Sequence, residues 1–405
     1  MKPIVRAGRM KPVHSDIRGP LFVEAMKRQK QGIDVLKLNT GNPATFGFGL
    51  PDSIKNALME HMQDGVGYCD FKGMPQARQA ICDYETSKGI TGITPDDVFI
   101  GNGVSEVVSF ALTPLLNDGD EVLVPSPSYS LWGNSVYLED GKPVFYTCDE
   151  QANWYPDIQD IRSKITDKTK AIVIINPNNP TGVLYPKELL LEIIQIARES
   201  GLLIFADEIY DRLVMDGKQH ISLASLTEDV PVITLNGLSK SHCLCGYRCG
   251  WMVISGPREL TEDYRQGIIQ LTSLRLCANT MAQIVIPAAL DDMETPASMV
   301  RPGGRIYEQR EATVRELEKI DGLSFVKNDA AFYVFPKLDV KKFNITNDKQ
   351  FAHDLLDVTN ILLVPGSGFD WKDPDHFRIV MLPQADILSD AIRRMGTFLD
   401  GYKQK

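Results

Sequence analysis

Ala171-Ile172-Val173-Ile174-Ile175-Asn176-Pro177-Asn178-Asn179-Pro180 is a run of five apolar, β-prone residues that stops on a stiff polar turn. It reads as a buried strand with a functional end. The same design recurs on both sides. Upstream, Asp97–Ile100 ends in Gly101-Asn102-Gly103, and Glu121–Val124 ends in Pro125-Ser126-Pro127. Downstream, Leu202–Ala206 ends in Asp207, Val232–Leu235 runs toward Ser239-Lys240, and Gly250–Ile254 is a further strand. Helix-length segments, Ser105–Leu116 and Lys187–Glu199, lie between them. Strands alternating with helices imply crossover connections and a mostly parallel sheet covered on both faces. Ligands of such sheets bind beyond the carboxyl ends of the strands. Gly103, Asn179, Asp207 and Lys240 therefore belong to one rim.

From about Ile286 the pattern changes. A long helical stretch covers Arg301–Ile320, a short strand Ala331–Phe335, a helix about Gln350–Val358 and a late strand Arg378–Met381. The expected division is an N-terminal segment, 1–48, packing with a small α+β domain, 291–405, around a large domain, 49–290.

The remaining bulk features exclude several classes. With 43 Lys and Arg against 53 Asp and Glu, the net charge is −10, the wrong sign for a non-specific nucleic-acid binder or an anionic membrane surface. No stretch reaches the roughly eighteen consecutive apolar residues of a membrane span. Residues 1–20 carry Lys2, Arg6, Arg9, Lys11 and Arg18 without an apolar core, which argues against a secretory signal, and Pro3 and Pro12 oppose a presequence helix. A cytoplasmic protein is expected. Its seven cysteines, an odd and scattered set, read as reduced thiols.

On the rim, each residue has a bland reading and a chemical one. A lone loop lysine is ordinary surface, but Lys240 follows a strand and stands eight residues before Arg248. Partial burial beside other cations is expected to lower its pKa toward that of a nucleophile. Asp207, after the apolar run 202–206, is buried; unless it merely caps a helix it needs a cationic partner, and a protonated pyridine nitrogen is one. If a helical turn begins there, Tyr210 shares its face. Gly103-Val104-Ser105 opens a helix, where free N–H groups and the dipole favour phosphate. Ser239 and the forked guanidinium of Arg248 can add donors. Tyr129 offers a ring face or simple core packing. Arg378, at the start of an apolar strand, needs an anion: a carboxylate substrate or a structural acid. His242, Cys243, Cys245 and Cys249 match no zinc spacing, so no metal is expected.

Taken together these residues resemble the fold-type I pyridoxal-phosphate aminotransferases of class I/II, from about Asp16 to the chain end. Ser239-Lys240, Gly246, Arg248 and Gly250 match the family's lysine signature, and Asn176–Gly182 and Asp207-Glu208-Ile209-Tyr210 its two other diagnostic segments. The resemblance implies an α/β fold, a large domain with a mostly parallel seven-stranded sheet between helices plus a smaller α+β domain. It implies pyridoxal 5′-phosphate held by Lys240 as a Schiff base, with Asp207 on the ring nitrogen, Tyr210 and Asn179 on the phenolic oxygen and Tyr129 on the ring. Gly103, Val104, Ser105, Ser239 and Arg248 would hold the phosphate, with Tyr68 reaching the neighbouring subunit's phosphate in a homodimer with shared active sites. Gly41, Asn179 and Arg378 would meet the substrate carboxylate, and the Asn179–Pro180 bond would be cis. Within the family, Asp16-Ile17-Arg18-Gly19-Pro20 and Gly65–Asp70 resemble the bacterial glutamate–pyruvate (alanine) aminotransferases most. That places Arg18 near the substrate side chain, although Ser15 stands where those relatives carry tyrosine. The substrates implied are amino acids and 2-keto acids. A pyridoxal-phosphate β-lyase could use the same lysine and aspartate, and a non-catalytic cofactor-sensing protein the same pocket.

Overall fold

The computed structural model describes residues 2–405. Its centre is one sheet built of β1 (Val98–Gly101), β2 (Glu121–Ser126), β3 (Lys142–Asp149), β4 (Tyr155–Pro156), β5 (Thr169–Ile175), β6 (Leu203–Asp207), β7 (Val232–Gly237) and β8 (Gly250–Ser255). The spatial order is β1-β8-β7-β6-β5-β2-β3-β4. The pairs β3–β2, β2–β5, β5–β6 and β6–β7 are parallel, whereas β8 runs antiparallel to both β1 and β7. The seven expected strands are joined by an eighth, the two-residue edge strand β4, which pairs antiparallel with β3. Asn153 and Trp154, at φ 57° and 62°, turn the chain back to form it.

Side chains along a strand alternate between faces, and two apolar layers follow from that. Val122 and Val124 of β2 join Ala171, Val173 and Ile175 of β5 in one buried cluster with Trp132 and Phe205. Leu123, Ile172, Ile174 and Ile204 point into the opposite cluster, with Leu190, Ile193 and Ile194 of the helix Lys187–Ser200. That helix presents Leu189, Leu190, Ile193, Ile194 and Ala197 as one stripe and stops at Gly201, whose φ of 64° suits a residue without Cβ.

The C-terminal third builds a separate core. The helix Ala385–Leu399 buries Leu388, Ala391, Ile392, Met395 and Leu399 at helical spacing against Leu317, Val334, Phe351 and Phe377. Truncating one of these, such as Leu388→Ala, costs about 2–5 kcal/mol by transfer and cavity terms. Leu36–Lys37 pairs in parallel with Ile361–Leu362, and Leu38 lies in the same cluster. A layer around Ile209, Tyr210, Phe332, Tyr333, Val380 and Leu382 fills the space between the sheet's rim and this core.

Two expectations change. The cis peptide bonds are Ser126–Pro127 and Asn176–Pro177, and Asn179–Pro180 is trans. Hydrogen bonds from Gly182 N to Asn178 O (2.8 Å) and from Asn178 N to Val183 O (3.0 Å) close the turn around Asn179 without it. Residues 209–212 form a turn, with no helix after Asp207. Among the described residues no single helix is long and apolar enough to cross a membrane.

Candidate active site

The carboxyl ends of β1, β2, β5, β6 and β7 meet the amino end of the antiparallel β8 along one rim. Gly103, Tyr129, Asn179 and Lys240 follow these strand ends, Asp207 is the last residue of β6, and Arg248 precedes β8. The helix Val104–Leu112 starts directly after Gly103 (φ 82°). Its first turn abuts Gly250: a Cβ there would lie 2.5 Å from Val104 N. A Cβ on Gly103 would lie 2.3 Å from Arg248 Nη2. Two glycines thus let a helix start, a strand and a guanidinium close on one cradle. Ser105 lies exposed in the first turn, and Arg248 Nη1 donates to Cys245 O at 2.9 Å.

Lys240 is half-buried, and its ammonium donates to Gly41 O at 3.0 Å. Burial disfavours its charge and Arg378 does too, but Tyr333, Cys245 and Tyr129 favour it, and the balance lies above the ordinary lysine value. The expected depression of its pKa is therefore not found. Polar groups facing the amine outweigh the one nearby cation.

Asp207 is buried and accepts from Trp132 Nε1 at 3.1 Å. Burial pushes its carboxyl up to about 6, against the hydrogen bonds from Trp132 and Ile209 N. Tyr210 is buried three residues on, its hydroxyl 2.9 Å from that of Tyr333. Burial and that neighbour push the Tyr210 phenol well up, so it stays a neutral donor.

Arg378 is 1 % exposed. Nη1 donates to Asn179 Oδ1 at 2.8 Å, Nη2 to Asn39 O, and Nε has no partner. Its guanidinium lies between the rings of Tyr333 (4.5 Å) and Phe369 (4.6 Å). No acid pairs with it among the described residues, which removes the bland reading of this arginine. The Asn179 amide nitrogen remains free to donate. Gly41 packs so closely that a Cβ would lie 2.2 Å from the Tyr333 hydroxyl. Asn39 Nδ2 donates to Ile17 O at 2.8 Å, linking Arg378 to the turn Asp16–Arg18. Arg18 itself is exposed and makes no ion pair among the described residues, and Ser15 beside that turn is exposed as well.

Tyr68 is 84 % exposed. Ser239 is half-buried, and its backbone carbonyl accepts from Cys245 Sγ at 3.0 Å. The cysteines near Lys240 do not converge. Cys243 Sγ faces Met299, while His242 is held by Ser241 and Asp292 O. Sequence reasoning missed Trp132, Asn39, Cys245 and Tyr333. Only Tyr333 carried a signal, as a lone phenol in the apolar strand 331–335 whose hydroxyl would need a partner once buried.

These groups suit the pyridoxal phosphate that the sequence resemblance implies. A buried carboxyl raised to about 6 calls for a protonated ring nitrogen. The glycine-lined helix start beside Arg248 suits a phosphate, and the half-buried Lys240 amine an aldehyde.

The family model described as aminotransferase class I and II matches residues 33–392. The glutamate-pyruvate aminotransferase AlaA of Haemophilus influenzae is 50% identical over 404 residues, covering 100% of both chains. An aminotransferase structure from Escherichia coli superposes with a TM-score of 0.98 at 47% identity, covering 100% of each chain. The alanine aminotransferase structure from Pyrococcus furiosus gives 0.92 at 41% identity, covering 98% of this chain and 100% of that one.

Proposed function

This chain belongs to the class I and II aminotransferases, and on that premise we propose that it exchanges amino groups between alanine and 2-oxoglutarate, or glutamate and pyruvate in reverse. Transamination between amino acids and 2-keto acids is its reaction class and pyridoxal 5′-phosphate its cofactor. When bound, the cofactor supplies an aldehyde for the substrate amine and a ring that accepts electrons.

The chain's own residues do the rest. Lys240 would hold the cofactor, and its free amine would take and return the substrate's α-proton. Asp207, braced by Trp132, would keep the ring nitrogen protonated. Tyr210 and the Asn179 amide would donate to the phenolic oxygen, and Tyr129 would lie against the ring. Gly103, Val104, Ser105, Ser239 and Arg248 receive the phosphate. Arg378, with Asn179 and the Gly41 backbone beside it, receives the α-carboxylate, and Arg18 favours a second carboxylate. The observation that carries this reading is the unpaired, buried Arg378 guanidinium on the same rim as Lys240 and Asp207. Alternate use of the site by two substrates gives ping-pong kinetics.

A homodimer is part of the proposal, with Tyr68, so exposed on its own chain, reaching the neighbouring site. So are the division into 1–48, 49–290 and 291–405 and a cytoplasmic location, which the seven free thiols support.

A donor panel tests the reading. The purified protein loaded with cofactor should convert alanine and 2-oxoglutarate to pyruvate and glutamate faster than it uses aspartate or an aromatic donor. Ammonia and pyruvate released from a cysteine derivative, without keto-acid exchange, would make it a β-lyase instead.

A further inference from the structure

Behind the rim lies a buried charge cluster that none of the roles above uses. Lys88 follows the helix Pro75–Ser87, and its side chain is 13% exposed. Its ammonium lies 2.7 Å from Glu85, 2.7 Å from Glu208 and 3.2 Å from Asp211. Glu208 and Asp211 bracket Tyr210 in the turn after Asp207. Asp211 Oδ2 also accepts from Tyr84 at 2.6 Å and from Asn236 Nδ2 at 2.7 Å. Asn236 lies four residues before Lys240, and its Oδ1 receives Gly237 N at 2.7 Å. On the other flank, His220 Nε2 is 3.1 Å from Asn176 O and 4.0 Å from Glu208. One ammonium thereby joins the turns that carry Asp207 and Tyr210, Lys240, and Asn179.

The electrostatics make the ammonium necessary. Glu208, Asp211 and His220 hold ligand-type atoms within 4.8 Å of one another, an arrangement that could suit a cation. Lys88 already supplies one. Arg212, over the Tyr84 ring at 4.3 Å, donates to the carbonyls of Ala289 and Leu290. Burial pushes the Asp211 carboxyl up, yet Lys88, His220 and Tyr84 hold it below its usual range. Without the ammonium, three buried carboxylates, Glu85, Glu208 and Asp211, face one another, and they must take up protons or move apart. Either change is passed through Asn236 to the Lys240 strand end and through Glu208 to Asp207.

We propose that Lys88 is a positioning residue for transamination: its ammonium sets the Asp207–Tyr210 turn against the Lys240 strand end. This rests on the function proposed above. The experiment uses the cofactor-loaded wild type, Lys88→Met, Lys88→Arg and Asn236→Ala. It records melting temperature, the pH midpoint of the bound cofactor's visible absorbance, cofactor affinity, and kcat and KM for the amino donor. Lys88→Met is expected to move the midpoint by about one pH unit and lower kcat about tenfold or more, with donor KM changed far less. Lys88→Arg should restore both. Asn236→Ala, which cuts only the link to the lysine strand, should move the midpoint in the same direction.

A purely structural lysine would lower the melting temperature and leave the midpoint and kcat at wild-type values well below melting. That result overturns the proposal. Should Lys88→Met fail to fold, Asn236→Ala decides alone, and an unmoved midpoint there overturns it. A wild type with no lysine-bound absorbance would instead sink the proposed function, so the two failures are distinguishable.

Discussion

Gly41 and Tyr333 leave no room for a side chain between them. A Cβ on Gly41 would stand 2.2 Å from the Tyr333 hydroxyl, which is itself 2.9 Å from that of Tyr210. Gly41→Ala must therefore push Tyr333 and disturb the Tyr210 hydroxyl. The expected result is a fall of about tenfold to a hundredfold in kcat/KM, with a stability loss near the ~1–3 kcal/mol of an overpacked core. Steady-state kinetics with a parallel urea melt checks it. Unchanged kinetics would mean that Tyr333 has slack.

Lys240→Ala removes the amine on which the proposed reaction turns. No keto-acid exchange above background is expected in either direction. The visible spectrum should be that of free cofactor, which dialysis removes. Full turnover in this variant would end the assignment.

Asp207→Asn separates stability from catalysis. Asp207 is raised from its ordinary 3.8 to about 6, burial being the main cause. The cofactor-free folded chain then binds more protons than the unfolded chain between those values, so its stability falls as pH rises through that window and the full penalty applies above it. Asparagine keeps an acceptor for Trp132 and carries no charge. The variant should be more stable than wild type by about 3 kcal/mol at neutral pH and close to it near pH 4, when free of cofactor. Its transaminase activity should fall at least about a hundredfold, since nothing then keeps the ring nitrogen protonated. Melts across pH decide the first half. A destabilised cofactor-free variant at neutral pH would contradict it.

Arg378→Lys keeps the charge and loses the fork. The unpaired Nε disappears, and one ammonium must serve Asn179, Asn39 O and the substrate together. The expected outcome is a rise in KM for both alanine and glutamate of about tenfold or more. A change confined to one donor would move Arg378 from the α-carboxylate to the side chain.

Much of this was legible in the chain because it was local. β5, β6 and β7 are short apolar runs, and Asn179, Asp207 and Lys240 follow them directly, so strand ends and chemistry were found together. β3 was not found: in Lys142–Asp149 polar and aromatic residues interrupt the apolar pattern, and its pairing with β2 and β4 makes it a strand. Trp132 lies 75 residues from the carboxylate it donates to, and no spacing rule spans that gap. The Lys240 amine also behaved differently from expectation. The pKa of Lys240, in the short helix Leu238–Ser241, depends on Tyr333, Cys245 and Tyr129, which reach it from other segments. The helix expected at Ser105–Leu116 ends at Leu112, where Thr113-Pro114 and a tight turn replace it. The expected boundaries were otherwise within a few residues, as periodicity alone allows.

The Trp132–Asp207 hydrogen bond has an optical consequence. Of the four tryptophans, only Trp132 touches Asp207, and it is fully buried. Its indole N–H donates to the carboxylate proposed to meet the ring nitrogen, so its emission is expected to respond when cofactor enters. Excited selectively, after replacing Trp154, Trp251 and Trp371 with phenylalanine, it becomes a built-in gauge of how much of the enzyme is charged and ready, read without any substrate at all.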